Sequence, residues 1–161
     1  MKLSKRSEYG LRALLDLAAH ADKGPLRLKD LAKRNNIPIK FLEQIFVTLR
    51  NVGVVRSQVG ARGGYTLGHP AEEITLGQVI RALDGTIAPV GCVSVIAYEP
   101  CTCPDESTCA LRAAMNQVRD AIVAVVDHMS LADAISRGRA LSNVKPQASN
   151  PKPPKRSKRK A

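Results

Sequence analysis

The four cysteines of this 161-residue chain, Cys92, Cys101, Cys103 and Cys109, all fall within residues 92–109. Thiolates concentrated in this way suit a soft metal, either zinc or the iron of a sulfide cluster, or a thiol/disulfide couple. Their spacing, C-x8-C-x-C-x5-C, contains no CxxC pair and so departs from standard zinc spacing. A cluster held by an irregular loop fits it better. No cysteine has a base beside it in sequence, and neither paired carboxylates nor a phosphate loop appear, so an enzyme is not expected. His20, His69 and His128 have no cysteine neighbour and read as surface or packing histidines.

The elements around the thiols have two distinct characters. Over Glu8 to Ala21, Leu11, Leu14, Leu15 and Ala18 recur at three and four, which predicts a helix with one buried face. Gly24-Pro25 breaks it, Leu28 to Arg34 predicts a short second helix, and Asn35-Asn36 predicts a turn through left-handed backbone. Pro38 opens a third helix that Gly53 closes, with Leu42, Ile45, Phe46 and Leu49 inward and Lys40, Glu43, Gln44, Val47 and Thr48 outward. That order lets an exposed helix enter a major groove. Two strand-like runs, Val54 to Val59 and Tyr65 to Leu67, flank Gly60-Ala61-Arg62-Gly63-Gly64 and predict a hairpin whose tip carries Arg62 toward phosphates or a minor groove. Glu43 could accept from a cytosine amine and Gln44 could pair with adenine; a surface ion pair of Glu43 with Lys40 or Arg50 fits the sequence equally.

Beyond the hairpin, Thr75 and Gln78 form a capping box for a helix to about Leu83, ended by Gly85. After the cysteine loop, Leu111, Met115, Val118, Ile122, Val125 and Met129 follow a heptad seam suited to an identical partner helix, or to the chain's own core. Ser130 caps a last helix to about Leu141.

Charge is uneven. Residues 1–51 carry a net +6, residues 52–144 a net −2 and residues 145–161 a net +7. A basic first half implies a polyanionic partner, most simply nucleic acid. The proline-rich tail 142–161 is expected to be disordered; its basic run, Lys155 to Lys160, would either attract phosphates or serve as a solubilising extension. The longest apolar run spans Ala121 to Val126, too short to cross a bilayer, and Arg12 and Asp16 interrupt Leu11–Ala19, which argues against a secretory signal. A cytoplasmic protein is expected.

Three stretches carry a family likeness: Phe41-Leu42-Glu43-Gln44-Ile45-Phe46, Gly60-Ala61-Arg62-Gly63-Gly64-Tyr65-Thr66-Leu67, and the cysteine loop. From Met1 to about Leu141 the chain resembles the IscR/NsrR type of bacterial winged-helix regulators. The resemblance implies a homodimer on a palindromic promoter and an iron-sulfur cluster, 2Fe-2S or 4Fe-4S, that sets DNA affinity in response to iron, oxygen or nitric oxide. Cys92, Cys103 and Cys109 match the family's three-cysteine pattern, and Cys101 is extra. Arg112 stands where the IscR branch has a ligating histidine. Other branches take an acidic ligand from the start of the partner's first helix, a position Glu8 occupies here, so either Glu8 or Cys101 could complete the set. Glu43 and Gln44 match the family's base-reading residues, Lys40 replaces a small polar one, and Val59 stands where IscR has an arginine, with Arg62 at the tip instead.

The resulting expectation is a mainly α fold with a small β-hairpin, divided into a winged helix-turn-helix domain (1–84), a cluster-binding loop (85–109), a dimerisation helix with a short C-terminal helix (110–141) and a tail (142–161). The expected metal ligands are Cys92, Cys101, Cys103, Cys109 and Glu8. The expected DNA contacts are Lys40, Glu43, Gln44, Thr48 and Arg62. The expected function is a cluster-controlled regulator, acting as a repressor on double-stranded promoter DNA, without a membrane partner. A direct thiol/disulfide switch, or a structural zinc or iron-sulfur protein docking a protein partner, are the competing readings.

Overall fold

The computed structural model describes residues 3–60 and 63–142. Among the described residues six helices and one hairpin follow in order: α1 (Lys5–Ala19), α2 (Leu28–Asn35), α3 (Ile39–Asn51), β1 (Val55–Gln58), β2 (Gly64–Leu67), α4 (Leu76–Asp84), α5 (Ala110–His128) and α6 (Leu131–Ser142). Single 3-10 turns lie at Ala21–Lys23 and Gly91–Val93. Arg62 and residues 143–161, including the basic tail run, lie outside the described residues.

Local chemistry sets the boundaries. Ser4 caps α1 by accepting from the Ser7 amide, and Asn36 ends α2 in the left-handed region (φ 52°). Pro38 is the N-cap of α3 rather than its first helical residue, one position earlier in the helix than its sequence signal suggests. At α4 the expected capping box is present in both directions, with Thr75 Oγ1 accepting from the Gln78 amide (3.2 Å) and Gln78 Oε1 from the Thr75 amide (3.0 Å).

The core lies between α1, α2, α3, α4 and the hairpin, where Leu14, Leu31, Leu42, Ile45, Phe46, Leu49 and Val79 are almost fully buried. Phe46 meets Tyr65 of β2 edge-to-face, ring centroids 4.9 Å apart, so the third helix and the wing share one aromatic contact. β1 and β2 pair antiparallel from Val55↔Leu67 to Gln58↔Gly64, and Leu26 adds a bridge to Tyr65. A Cβ on Gly64 would stand 2.5 Å from the Leu26 carbonyl oxygen, so this glycine serves a close approach inside the fold.

The long helix is unlike the rest. α5 has no buried residue, although α6 behind it returns to the core through Leu131, which is fully buried. α5 is tied to α4 by a bidentate pair, Arg81 to Asp127 at 2.6 and 2.8 Å, which lowers the Asp127 carboxyl below the ordinary range and raises the Arg81 guanidinium. Met115 and Ile122 of the expected seam are half-buried, whereas Leu111, Val118 and Val125 stand 60%, 41% and 57% exposed. Together with the exposed Ala114 and Ala121 they form a stripe at spacings of three and four along one face. No helix among the described residues is long and apolar enough to cross a membrane.

Candidate functional site

The first site is the outer face of α3. Lys40, Glu43 and Gln44 are exposed side by side, with Val47 (46% exposed) one turn on. Among the described residues no ion pair involves Glu43, so the surface pair with Lys40 or Arg50 does not form. Thr48 is placed differently from its neighbours. It is half-buried, accepts from Arg6 of α1 at 2.6 Å and donates to the Gln44 carbonyl at 3.3 Å. Its hydroxyl thus locks the helix to α1. On the other flank Arg34 donates to Asp16 (2.6 Å) and Arg12 to the Asn35 carbonyl, which fixes the turn between α2 and α3 to α1.

The second site is the cysteine loop. A 3-10 turn holds Cys92 at 8% exposure, and its carbonyl accepts from Arg112 Nε of α5 at 3.3 Å. Arg119, two turns further along α5, donates to the Val93 carbonyl at 2.6 Å. Cys109 is itself the N-cap of α5, its sulfur accepting from the Arg112 amide at 3.4 Å. The loop is therefore clamped onto α5 at both ends. A turn in between is closed by Asp105, which accepts from Ser107 and Thr108 and is held at about 2 by those hydrogen bonds.

This path brings the thiols together. Cys103 and Cys109 sulfurs lie 3.6 Å apart, and the ligand atoms of Cys92, Cys101 and Glu106 lie within 4.8 Å of one another. Burial, then Cys101, pushes the Cys92 thiol up, and hydrogen bonds to Cys101 and Cys109 push Cys103 up to about 12. Cys109 moves the opposite way, because the Arg112 amide at the helix start stabilises its thiolate. Crowded thiols that resist joint ionisation are what a bound cation relieves, since metal binding releases their protons. The donor set, four sulfurs with an adjacent carboxylate on one irregular loop, fits an iron-sulfur cluster.

Glu8 stands apart from the four thiols within the chain, in α1, where it pairs with Lys5 (2.7 Å) and Arg12 (3.7 Å). Ligand spacing rules pass over Glu106, although its place between Cys103 and Cys109 is a signal in the sequence. Arg6 and Arg119 carry no local signal, because they act on Thr48 and on the Val93 carbonyl, 42 and 26 positions away, whereas Tyr98 reaches Glu106 within the loop itself.

A helix-turn-helix with a hairpin wing, carrying a thiol loop clamped to a long exposed helix, defines a winged-helix transcriptional regulator. Residues 3–137 match the Rrf2 family, described as iron-dependent transcriptional regulators, and the chain belongs to that family. It is similar to the protein rrf2 of Nitratidesulfovibrio vulgaris, 41% identical over 133 residues (83% of this chain, 86% of that one). Among solved structures it is similar to CymR (YrzC), the global cysteine regulator of Bacillus subtilis, with a TM-score of 0.73 and 38% identity over 85% of this chain and 98% of that one. It is similar also to T. potens IscR, with a TM-score of 0.71 and 29% identity over 91% and 94%.

Proposed function

We propose that this protein is a homodimeric regulator of promoter DNA whose affinity is set by an iron-sulfur cluster held on the cysteine loop. The observation that carries the reading is the convergence of all four thiols at the start of α5, the helix whose apolar stripe is left exposed. The relative named IscR and the iron-dependent description of the family favour it.

In this reading Cys92, Cys103 and Cys109 are cluster thiolates, and Cys101, Glu8 of the partner or another carboxylate completes the set. When bound, the cluster supplies iron that reacts with oxygen, nitric oxide or a change of redox state. The chain's own residues do the rest. Cys109 anchors the N-terminus of α5, and Arg112 and Arg119 hold the turn bearing Cys92, so loop geometry and helix position change together. The Leu111, Val118 and Val125 stripe packs against its copy, and two readers then face adjacent half-sites.

Lys40, Glu43 and Gln44 enter the major groove: Lys40 meets phosphate or guanine, Glu43 accepts from cytosine and Gln44 pairs with adenine. Val47 suits a thymine methyl. Thr48 adds a contact at the helix edge while Arg6 holds it, and Arg62 reaches the backbone or minor groove from the wing. We assign residues 1–84 to DNA reading, 85–109 to the cluster and 110–141 to dimerisation, with the basic tail 142–161 adding salt-sensitive attraction. Repression is the expected sign of regulation.

The test is iron and acid-labile sulfide analysis with absorption spectra on anaerobically purified protein, before and after air. Both elements and a visible chromophore that bleaches in air are expected; colourless protein free of iron and sulfide would remove the sensing half.

One separation favours a second reading. With their sulfurs 3.6 Å apart, Cys103 and Cys109 could form a disulfide, each losing a proton while a peroxide is reduced to water. The similarity to a cysteine regulator fits a thiol-based signal. Mass mapping after peroxide separates the two readings, since free thiols that survive oxidation exclude the disulfide.

A further inference from the structure

Two acidic residues lie side by side in the cysteine loop, and the fold treats them differently. Asp105 is consumed by its own turn, accepting from the Ser107 amide and hydroxyl and from the Thr108 hydroxyl at 2.6 to 2.8 Å. Glu106 is turned to the thiols instead, within 4.8 Å of Cys92 and Cys101 at its ligand atoms. It is half-buried there, and one residue earlier in the loop and one on α5 orient it. Both of its oxygens lie 2.6 Å from the Tyr98 hydroxyl, which donates, and Arg112 Nε stands 3.7 Å from Oε1. Arg112 also holds the Cys92 carbonyl, so one guanidinium fixes the carboxylate and the backbone of a thiol together. A carboxylate placed beside two sulfurs and oriented by outer hydrogen bonds has the supports that ligating carboxylates carry.

We propose that Glu106 is the oxygen ligand of the cluster, supplied in cis, so that each protomer carries its own complete ligand set with Cys92, Cys103 and Cys109. The inference rests on the cluster reading above and specifies its fourth ligand. Glu8 then keeps its place among Lys5 and Arg12 on α1, and Cys101 is a neighbouring thiol rather than a required ligand. A hard oxygen donor among soft thiolates holds its iron least tightly, which marks that iron as the one an incoming small molecule reaches first.

The full chain is reconstituted anaerobically with ferrous iron and sulfide, and wild type is compared with Glu106→Gln, Glu106→Cys, Glu8→Gln, Cys101→Ser and Tyr98→Phe. Readouts are iron and sulfide per protomer, absorption, EPR of the reduced form and the midpoint potential, with far-UV circular dichroism to confirm folding. Glu106→Cys is expected to keep full iron and sulfide with changed EPR and potential, and Glu106→Gln to lose iron on desalting. Tyr98→Phe is expected to keep the wild-type spectrum but lose iron to a chelator about tenfold more easily. Glu8→Gln and Cys101→Ser are expected to match wild type. A folded Glu106→Gln or Glu106→Cys with wild-type spectra and iron content would overturn the assignment while leaving the cluster reading intact, as would a Glu8→Gln or Cys101→Ser protein that loses iron. Wild type that takes up neither iron nor sulfide would overturn both.

Discussion

Replacing Val118 with aspartate tests the dimer stripe at its centre. In the single chain Val118 is 41% exposed, and it is flanked by Leu111 at 60% and Val125 at 57%. Fully burying a valine side chain is worth about 2 kcal/mol, so the exposed fraction of Val118 offers about 1 kcal/mol per protomer on pairing. A twofold interface counts that twice. The substitution removes this gain and also brings two carboxylates toward each other in a drying interface, where a poorly solvated charge costs several kcal/mol unless it is paired. A total loss of about 4 kcal/mol corresponds to a dimer weakened by roughly a thousandfold. Because no residue of α5 is buried within the chain, the fold should survive. Sedimentation velocity at micromolar concentration should find wild type as a dimer and Val118→Asp as a monomer, with unchanged far-UV circular dichroism. Val95→Asp, at a loop position 80% exposed and away from the stripe, should leave the dimer intact. A folded Val118→Asp protein that sediments as wild type would refute the argument.

Three further predictions concern other parts of the molecule. Phe46→Ala empties a fully buried position and severs the contact with Tyr65, so urea unfolding should show a loss of about 3 to 5 kcal/mol; a change under 1 kcal/mol would mean that the site collapses freely. The Asp127 carboxyl is lowered by Arg81, so its stabilising contribution is present above about pH 4 and is lost as pH falls through the depressed folded value. Asp127→Asn should therefore be less stable at neutral pH and show a shallower loss below pH 4, and parallel acid-unfolding curves would contradict the pairing. Arg62→Ala should weaken binding to all operator variants alike and reduce its salt dependence, whereas Glu43→Ala should chiefly change sequence preference; identical behaviour in competition binding would refute that division.

Much of the DNA-reading half was legible in the sequence because its signals are local. Periodicity at three and four placed α1 and α3, Asn36 marked the left-handed turn, and Thr75 with Gln78 marked the start of α4. The resemblance carried by Phe41–Phe46 and Gly60–Leu67 points to the family to which the chain belongs. What escaped depended on tertiary position. The heptad pattern could not say that Met115 and Ile122 lean toward the body while Leu111, Val118 and Val125 face outward, because α4 and the cysteine loop cover only one flank of α5. Helical phase alone points Thr48 outward, yet Arg6, 42 positions earlier, takes its hydroxyl. Ligand spacing rules weigh cysteines and histidines and so miss Glu106, whose aim toward the thiols comes from Tyr98 and Arg112.

Occupancy of the thiol loop should change how the paired readers grip an operator. Anaerobic fluorescence anisotropy on one promoter fragment, at fixed salt, should compare the cluster-loaded protein with the same preparation after chelation of its iron. Dissociation constants should differ at least tenfold between the two forms, both dimeric by sedimentation. Equal affinities of two folded, dimeric forms would contradict it.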